Sequence, residues 1–116
     1  MKEQLMLDKK HRINELFDYY GQLLTDKQQQ FIQFYYHDDY SLSEIAQNFG
    51  ISRQAINEHL KRAESLLEEY ERILRLVAKH HERIGLHAQI TVLTQSLRIS
   101  DSEDITLLVD MMLSID

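Results

Sequence analysis

Apolar side chains recur every three or four positions along almost the whole chain, which is the spacing of amphipathic α-helices. The first stripe covers residues 5–24, and the next begins at Thr25 or Asp26, either of which can cap a helix. A third, short stripe covers residues 41–48. Strand-like alternation bounded by turn residues is missing, and proline is absent. The pattern therefore predicts an all-α fold.

The longest stripe begins after Ser52 and runs without a break to about His81. Its apolar positions alternate in steps of three and four from Leu60 onward, as in a coiled-coil seam, and they are Ile56, Leu60, Ala63, Leu67, Tyr70, Leu74 and Val77. Such a seam favours a homodimer through Leu67, Tyr70, Leu74 and Val77. The alternative is that the same face packs against the N-terminal and C-terminal helices of its own chain.

The last third of the chain contains the signals for two more helices. Gly85 predicts a break, and a helix over residues 86–98 follows it. Ser100 and Glu103 have the spacing of a capping box and open the final helix. We therefore expect a helical bundle in a single domain over residues 1–116, with a C-terminal helical part from about 84 to 116.

Two helices joined by a tight turn are predicted in the middle of the chain, inside a core over about residues 25–67. Ser41 and Glu44 form a capping box, and Gly50 follows the short helix, where a left-handed backbone costs glycine least. Ala46 is small where the two helices would touch. This arrangement predicts a helix-turn-helix in which the long second helix is the recognition helix.

Polar and basic side chains remain on the outer face of that second helix. Arginine can pair with guanine, and asparagine or glutamine with adenine, through two hydrogen bonds. Hydroxyls and helix-terminal amides can contact phosphates. We therefore expect DNA binding in which the bases are read by Arg53, Gln54, Asn57 and Lys61, and the backbone is held by Ser52 and Arg62. The alternative is an ordinary helical hairpin with a polar surface and no role in binding.

The charge balance limits how such a motif could hold DNA. The chain has 13 Lys and Arg against 19 Asp and Glu, a net charge of −6. Strong non-specific affinity for DNA requires clustered basic side chains, because it depends on counterion release. The motif itself, over residues 41–64, carries three basic and three acidic residues. This balance permits sequence reading by hydrogen bonds but gives little electrostatic attraction.

Other chemistry has weak support in the sequence. The chain has no cysteine, and its six histidines include no pair at the i, i+4 spacing of a helical zinc site, so we expect no metal site and no cofactor. A glycine-rich phosphate loop is missing, and we expect no enzyme. The N-terminus is too charged for a signal peptide, and no apolar run is long enough to cross a membrane, so a cytoplasmic protein is expected.

The aromatic residues admit two interpretations. Phe17, Tyr20, Phe31 and Tyr35 fall on the apolar stripes, so we expect them in the core. Tyr19, Phe34 and Tyr36 fall off those stripes and could form an exposed contact patch, with Phe34 as the best candidate. Base stacking, as in single-strand binders, is the less favoured use of this group.

The segment from Leu24 to Leu67 resembles region four of bacterial sigma factors, which reads the upstream promoter element. The similarity runs through Ser43–Ala46, Phe49–Ser52 and Leu60–Ala63. Thr25 departs from that family, which usually has proline there, and acidic Glu58 lies within the recognition helix. Because there is no room for a promoter-melting domain, we do not expect a sigma factor.

The whole chain resembles the YlxM family of small bacterial helix-turn-helix proteins. The stretch from Tyr19 to Phe31, joined to the sigma-like motif, is the most family-specific part. Genes of that family typically neighbour the gene of the signal recognition particle GTPase, which implies a regulatory or accessory role in that pathway. The resemblance leaves an alternative open, namely an interaction module that binds the GTPase or its RNA through acidic helix faces at Glu64, Glu68, Glu69 and Glu71.

Overall fold

The fold is built from helices of very different length. The computed structural model describes residues 1–95 and 99–114, with side chains left undescribed at 99–102. The helices are α1 (Lys2–Tyr20), α2 (Asp26–Ile32), α3 (Leu42–Phe49), α4 (Arg53–Leu74), α5 (Leu76–Thr94) and α6 (Ile99–Ser114), with a 3-10 turn at Gly21–Leu23 and a π-helical turn at Gln33–His37. The described residues contain no strand, and the predicted all-α fold is confirmed.

Contacts between residues group the chain into two compact units. The first unit is Met1–Arg75 and the second is Leu76–Asp116. The first unit holds the helix-turn-helix, and the second holds the helical pair α5 and α6. The single domain over residues 1–116 therefore stays a prediction. None of the described helices combines the length and the apolar character needed to cross a bilayer.

The core of the first unit lies around α4, against which α1, α2 and α3 all pack. Its buried side chains are Ile13, Leu16, Tyr20, Leu24, Phe31, Ile32, Tyr36, Ile45, Ile56, Leu60, Ala63 and Leu67. Each fully buried Leu, Ile or Phe contributes about 1.5–3 kcal/mol relative to an exposed position. The predicted stripe of the long helix is thus the core side of α4, as far as Leu67.

One polar pair is buried in this core. The hydroxyl of Tyr20 donates a hydrogen bond to Glu71 Oε1 at 2.5 Å, and both residues are buried. The Tyr70 ring lies 6.1 Å from the Tyr20 ring. A buried carboxylate is tolerated only when it is hydrogen-bonded, so this bond fixes the end of α1 on the last turns of α4.

The π-helical turn overturns part of the aromatic prediction. The amide of Asp38 donates to the carbonyl of Gln33 at 2.9 Å, an i to i+5 bond that adds one residue to the turn. The extra residue moves the buried position by one, so Tyr36 is buried and Tyr35 is only half-buried. Phe34 is not an exposed contact residue, because its ring stacks on Tyr40 at 5.1 Å.

The prediction that the long helix reaches His81 is wrong, and so is the prediction of a break at Gly85. The helix α4 ends at Leu74, and Arg75 adopts a left-handed conformation with φ 55° and ψ 29°. Its amide donates to the carbonyl of Glu71 at 2.8 Å. The following helix passes through Gly85, since a glycine inside a helix costs only about 1 kcal/mol.

The prediction that Leu67, Tyr70 and Val77 form a homodimer seam is also wrong. Leu67 and Val77 are fully buried within the chain, and Tyr70 is half-buried beside Tyr20. Packing of α1 and α2 on α4 uses the face that a coiled-coil partner would need. The alternative interpretation, packing within the chain, accounts for Leu67, Tyr70 and Val77, whereas Leu74 is exposed.

The second unit consists of two helices that pack against each other. His87 Nε2 on α5 lies 2.5 Å from Asp110 Oδ1 on α6, which links the pair across their exposed edge. The predicted capping box that begins at Ser100 lies outside the described side chains.

Candidate nucleic-acid interface

The turn between α3 and α4 has the geometry that a helix-turn-helix requires. The hydroxyl of Ser41 accepts from the amide of Glu44 at 3.1 Å, while the Glu44 carboxylate accepts from the amide of Ser41 at 3.1 Å. Gly50 takes the left-handed conformation, with φ 66° and ψ 30°, and its amide donates to the carbonyl of Ala46. The predicted capping box and glycine turn are therefore confirmed by the structure.

The recognition helix α4 starts directly after this turn. The hydroxyl of Ser52 accepts from the amide of Ala55 at 3.0 Å and caps the helix. The first turn of α4 contains no acidic residue, whereas those of α1, α2 and α3 contain Glu3, Asp26 and Glu44. The positive end of the α4 dipole is consequently not neutralised by a carboxylate of its own first turn.

Burial of one face of α4 decides which side chains reach solvent. Ile56, Leu60 and Ala63 are fully or almost fully buried against α2 and α3. The sequence-predicted site residues that are exposed on the other side are Ser52, Arg53, Gln54, Lys61 and Arg62. Asn57 is half-buried, so less of its amide is accessible. The structure thus presents five of the six candidates on the surface of one helix.

The three basic candidates keep their charges available. In the part of the chain that the structure describes, Arg53, Lys61 and Arg62 form no salt bridge. Arg12 of α1, in contrast, is compensated by carboxylates. Its hydrogen bond to Glu68 raises its pKa, burial lowers the pKa, and the charges of Glu68, Glu71 and Glu15 raise it further. Arg53, Lys61 and Arg62 are therefore available to an anionic ligand, whereas Arg72 of the same helix is paired with Glu69.

The carboxylates in the second half of α4 are bonded to other side chains of the same chain, although Glu68 and Glu69 remain exposed. Lys9 Nζ lies 2.9 Å from Glu64 Oε1, which also accepts from the Tyr36 hydroxyl at 2.6 Å. Arg12 forms a two-bond pair with Glu68, at 3.0 and 3.1 Å. The remaining two acidic residues are also engaged, Glu69 with Arg72 and Glu71 with Tyr20. Glu64, Glu68 and Glu71 join α1 to α4, and Glu69 pairs with Arg72 within α4. Each acidic residue expected to contact a basic partner therefore already has a partner within the chain.

One neighbour of the site escaped the sequence interpretation. Gln28 of α2 lines a shallow groove with Lys61, Arg62 and Ser65 of α4. Gln28 is half-buried, and its side-chain oxygen accepts from the amide of Thr25 at 3.0 Å. The signal that could have identified it is the Thr25–Gln28 capping box, which fixes the start of α2.

The histidines do not form a second site in the described residues. No group of three or more His, Cys, Asp or Glu side chains there has the arrangement of a metal site. Phe31 packs its ring 5.1 Å from His59, and His37 lies 5.5 Å from Phe17. These two imidazoles take part in aromatic packing.

The short helix, the glycine turn and the capped second helix with a polar outer face define a helix-turn-helix protein of all-α architecture. Residues 7–106 match the profile of the UPF0122 family, described as "Putative helix-turn-helix protein, YlxM / p13 like". The chain belongs to this family, as its resemblance to YlxM proteins predicted. The family is one of helix-turn-helix proteins and not a known family of enzymes.

Relatives in other bacteria agree with this assignment. The UPF0122 protein of Halalkalibacterium halodurans is 51% identical over 85 residues, which cover 73% of this chain and 78% of the relative. That of Oceanobacillus iheyensis is 44% identical over 96 residues, covering 83% and 91%. A UPF0122 protein of Listeria monocytogenes serotype 4b is 49% identical over 85 residues, covering 73% and 77%.

Proposed function

We propose that this protein is a DNA-binding regulator that reads duplex DNA with the N-terminal half of α4. The observation that carries the proposal is the exposed face of this helix, where Arg53, Lys61 and Arg62 have no acidic partner among the described residues. Buried Ile56 and Leu60 fix the opposite face. A recognition helix must be rigid on one side and polar on the other, and α4 meets both conditions.

The side chains divide into base readers and backbone contacts by their position along α4. Arg53 and Gln54 lie in the first turn, where a recognition helix approaches base edges, and Asn57 and Lys61 follow toward the middle. Ser52 accepts from Ala55 through its oxygen, which leaves the hydroxyl proton for a phosphate. Arg62, beside Gln28, is suited to the backbone.

An acidic protein can still read DNA in this way. Its net charge of −6 opposes general attraction to the duplex, so binding must come from directed hydrogen bonds at a specific site. The carboxylates in the second half of α4 are compensated by Lys9, Arg12, Arg72 and tyrosine hydroxyls. We expect a modest affinity with a large ratio of specific to non-specific binding.

The wider role is part of the same proposal. The family resemblance supports a regulatory protein acting in or on the signal recognition particle pathway. The proposal also includes a cytoplasmic location and a homodimeric state. The alternative function is a module that binds the particle's GTPase or RNA without contacting DNA. Its support is weaker because Glu64, Glu68, Glu69 and Glu71, the expected contact surface, form bonds within the chain.

A gel-shift experiment over a salt series tests the proposal. The purified protein is assayed against a pool of genomic duplexes and against the RNA of the particle. For a duplex that is bound, Arg53→Ala with Gln54→Ala should weaken binding about tenfold to a hundredfold, since a good base contact is worth about 1–3 kcal/mol. Lys79→Ala with Gln89→Ala, which removes one basic residue and one glutamine from exposed positions of α5, is the control matched in charge and should bind as the parent.

The outcome separates the two functions. Specific shifts of a duplex that are lost in the Arg53 and Gln54 variant support DNA reading. Binding of the RNA alone, unchanged in that variant, would support the interaction module. Equal binding of the variant and its control to the selected duplex would remove Arg53 and Gln54 from the reading role.

A further inference from the structure

The helix α6 is apolar on two sides, although α5 can cover only one of them. Ile105, Val109 and Leu113 recur every four residues and are half-buried, as expected for the side that packs on α5. On the other side Leu107, Leu108, Met111 and Met112 remain 61%, 61%, 55% and 69% exposed. We call these four residues the α6 stripe. Contiguous exposed apolar side chains of this kind mark an interaction surface, so the α6 stripe indicates a partner.

The size of the second unit points the same way. It spans only Leu76–Asp116 and is built from two helices, which share a single contact face. Units of roughly 40 residues seldom bury enough apolar surface to be stable without a disulfide, a metal or oligomerisation. The chain has no cysteine, and the described residues offer no metal-ligand cluster. Association with another chain is a route to a more complete core.

We propose that a second copy of this chain covers the α6 stripe, so that two α5–α6 pairs form a four-helix bundle around a two-fold axis. The stripe is symmetric in sequence about the point between Val109 and Asp110, with two leucines before it and two methionines after it. Antiparallel pairing places Leu107 of one copy against Met112 of the other, and Leu108 against Met111. A two-fold interface must be self-complementary in this sense.

The charges on α6 are compatible with this pairing. The helix carries no Lys or Arg, so parallel pairing would align its carboxylates. In the antiparallel arrangement the two copies of Glu103 lie about 20 Å apart along the axis, at a rise of 1.5 Å per residue. That separation exceeds the Debye length of about 8 Å at physiological salt. Asp110, the acidic residue nearest the axis, faces His87 of its own chain at 2.5 Å.

This inference assigns a surface to the dimer of the proposed function and does not depend on DNA binding. The mass of the full chain in solution, measured by light scattering and sedimentation over a range of concentrations, tests it. The parent should be a dimer. Leu107→Glu and Met112→Lys should each weaken the dimer by at least tenfold, because each places a charge in the apolar contact at two symmetric points. Met6→Glu, at an equally exposed methionine of α1, is the control and should leave the mass unchanged.

Mixing the two variants tests the register itself. A heterodimer of the Leu107→Glu chain with the Met112→Lys chain contains one Glu–Lys pair and one native Leu–Met pair. The equimolar mixture should therefore regain the dimer mass that neither variant has alone. Circular dichroism of each variant checks that the helices remain formed, since all the substituted side chains are exposed.

Three results would overturn the proposal: a monomeric parent at all concentrations, variants that dimerise as the parent does, or a mixture that stays monomeric. The Arg53→Ala, Gln54→Ala protein serves as a further comparison. It should keep the dimer mass while losing DNA, so failure of the interface and failure of the proposed function give different results.

Discussion

Two glycines of this chain should respond in opposite ways to the same substitution. Gly50 lies in the helix-turn-helix turn with φ 66°, a conformation that residues with a Cβ rarely adopt. Gly85 lies inside α5 with helical geometry. An added Cβ meets no atom within 4 Å at either position. Replacing each by alanine therefore isolates the backbone contribution to the free energy of unfolding, without a steric clash.

The magnitudes follow from the two conformations. Alanine in the left-handed region costs about 1–2 kcal/mol, and reduced freedom of the unfolded chain returns about 0.4–1 kcal/mol. We expect Gly50→Ala to lower the free energy of unfolding by about 1 kcal/mol. Gly85→Ala should raise it by about 0.5–1 kcal/mol, because alanine is the better helix former. Gly50→Asn should cost less than Gly50→Ala, since asparagine tolerates the left-handed region.

Urea unfolding can be followed separately in the two units. All six tyrosines lie between Tyr19 and Tyr70, in the first unit, and the chain has no tryptophan. Tyrosine fluorescence therefore reports on Gly50→Ala, whereas the helical signal in circular dichroism includes the unit that contains Gly85. With a slope of about 1–3 kcal/mol/M, a change of 1 kcal/mol moves the midpoint by roughly 0.3–1 M. All proteins are compared at one concentration.

Two results would contradict these expectations. An unchanged fluorescence midpoint in Gly50→Ala would mean that the turn does not require the left-handed conformation in solution. A loss of stability in Gly85→Ala would mean that position 85 is not in an open helical environment. The first outcome would contradict the turn geometry that positions the recognition helix, and the second would contradict the helical geometry of α5 at residue 85.

Two further predictions concern α4 and its surroundings. Burial, with the hydrogen bond to Glu64 and the charge of Glu64, raises the pKa of Tyr36, so the folded protein keeps a proton that the unfolded chain loses above about pH 10. The free energy of unfolding should thus fall as pH rises past about 10. In urea unfolding measured from about pH 8 to 11, Tyr36→Phe should make this fall less steep. An equally steep fall in the variant would contradict the raised pKa of Tyr36. Glu58 is exposed one turn after Gln54, on the helix proposed to read DNA. Removing its negative charge with Glu58→Gln should tighten DNA binding roughly twofold to fivefold at low salt. In the same gel shift, Glu103→Gln is the control and should leave binding unchanged. Weaker binding to one selected duplex would instead indicate that Glu58 accepts a hydrogen bond from cytosine.

The parts of this fold that could be predicted from the sequence are those encoded over a few neighbouring residues. The Ser41–Glu44 capping box, the Gly50 turn and the Ser52 cap each depend on side chains within three positions of one another. The apolar face of α4 is visible because a packed helix repeats every 3.6 residues. The exposure of Arg53, Gln54, Lys61 and Arg62 follows from that repeat.

The features that could not be predicted lack a local signal. The α4 helix ends at an arginine in a left-handed conformation, where the sequence has neither glycine nor proline. The π-helical turn changes the register by one residue, so it exchanges the environments of Tyr35 and Tyr36 without changing composition. The apolar seam of the long helix is compatible with either a second copy or a helix of the same chain, because its pattern does not say which helix covers it.

The same limitation explains how an acidic chain can present a basic reading surface. Net charge counts every carboxylate equally, yet four acidic residues in the second half of α4 are bonded to Lys9, Tyr36, Arg12, Arg72 and Tyr20. They contribute to holding α1 on α4 and are partly compensated where they lie. The charged side chains in the first half of α4 that form no salt bridge among the described residues are Arg53, Glu58, Lys61 and Arg62, and Glu69 lines one groove with Lys61 and Arg62. The distribution of partners, which only the tertiary structure supplies, therefore decides the local potential at the candidate interface, and it favours an anionic ligand that is bound by geometry more than by charge.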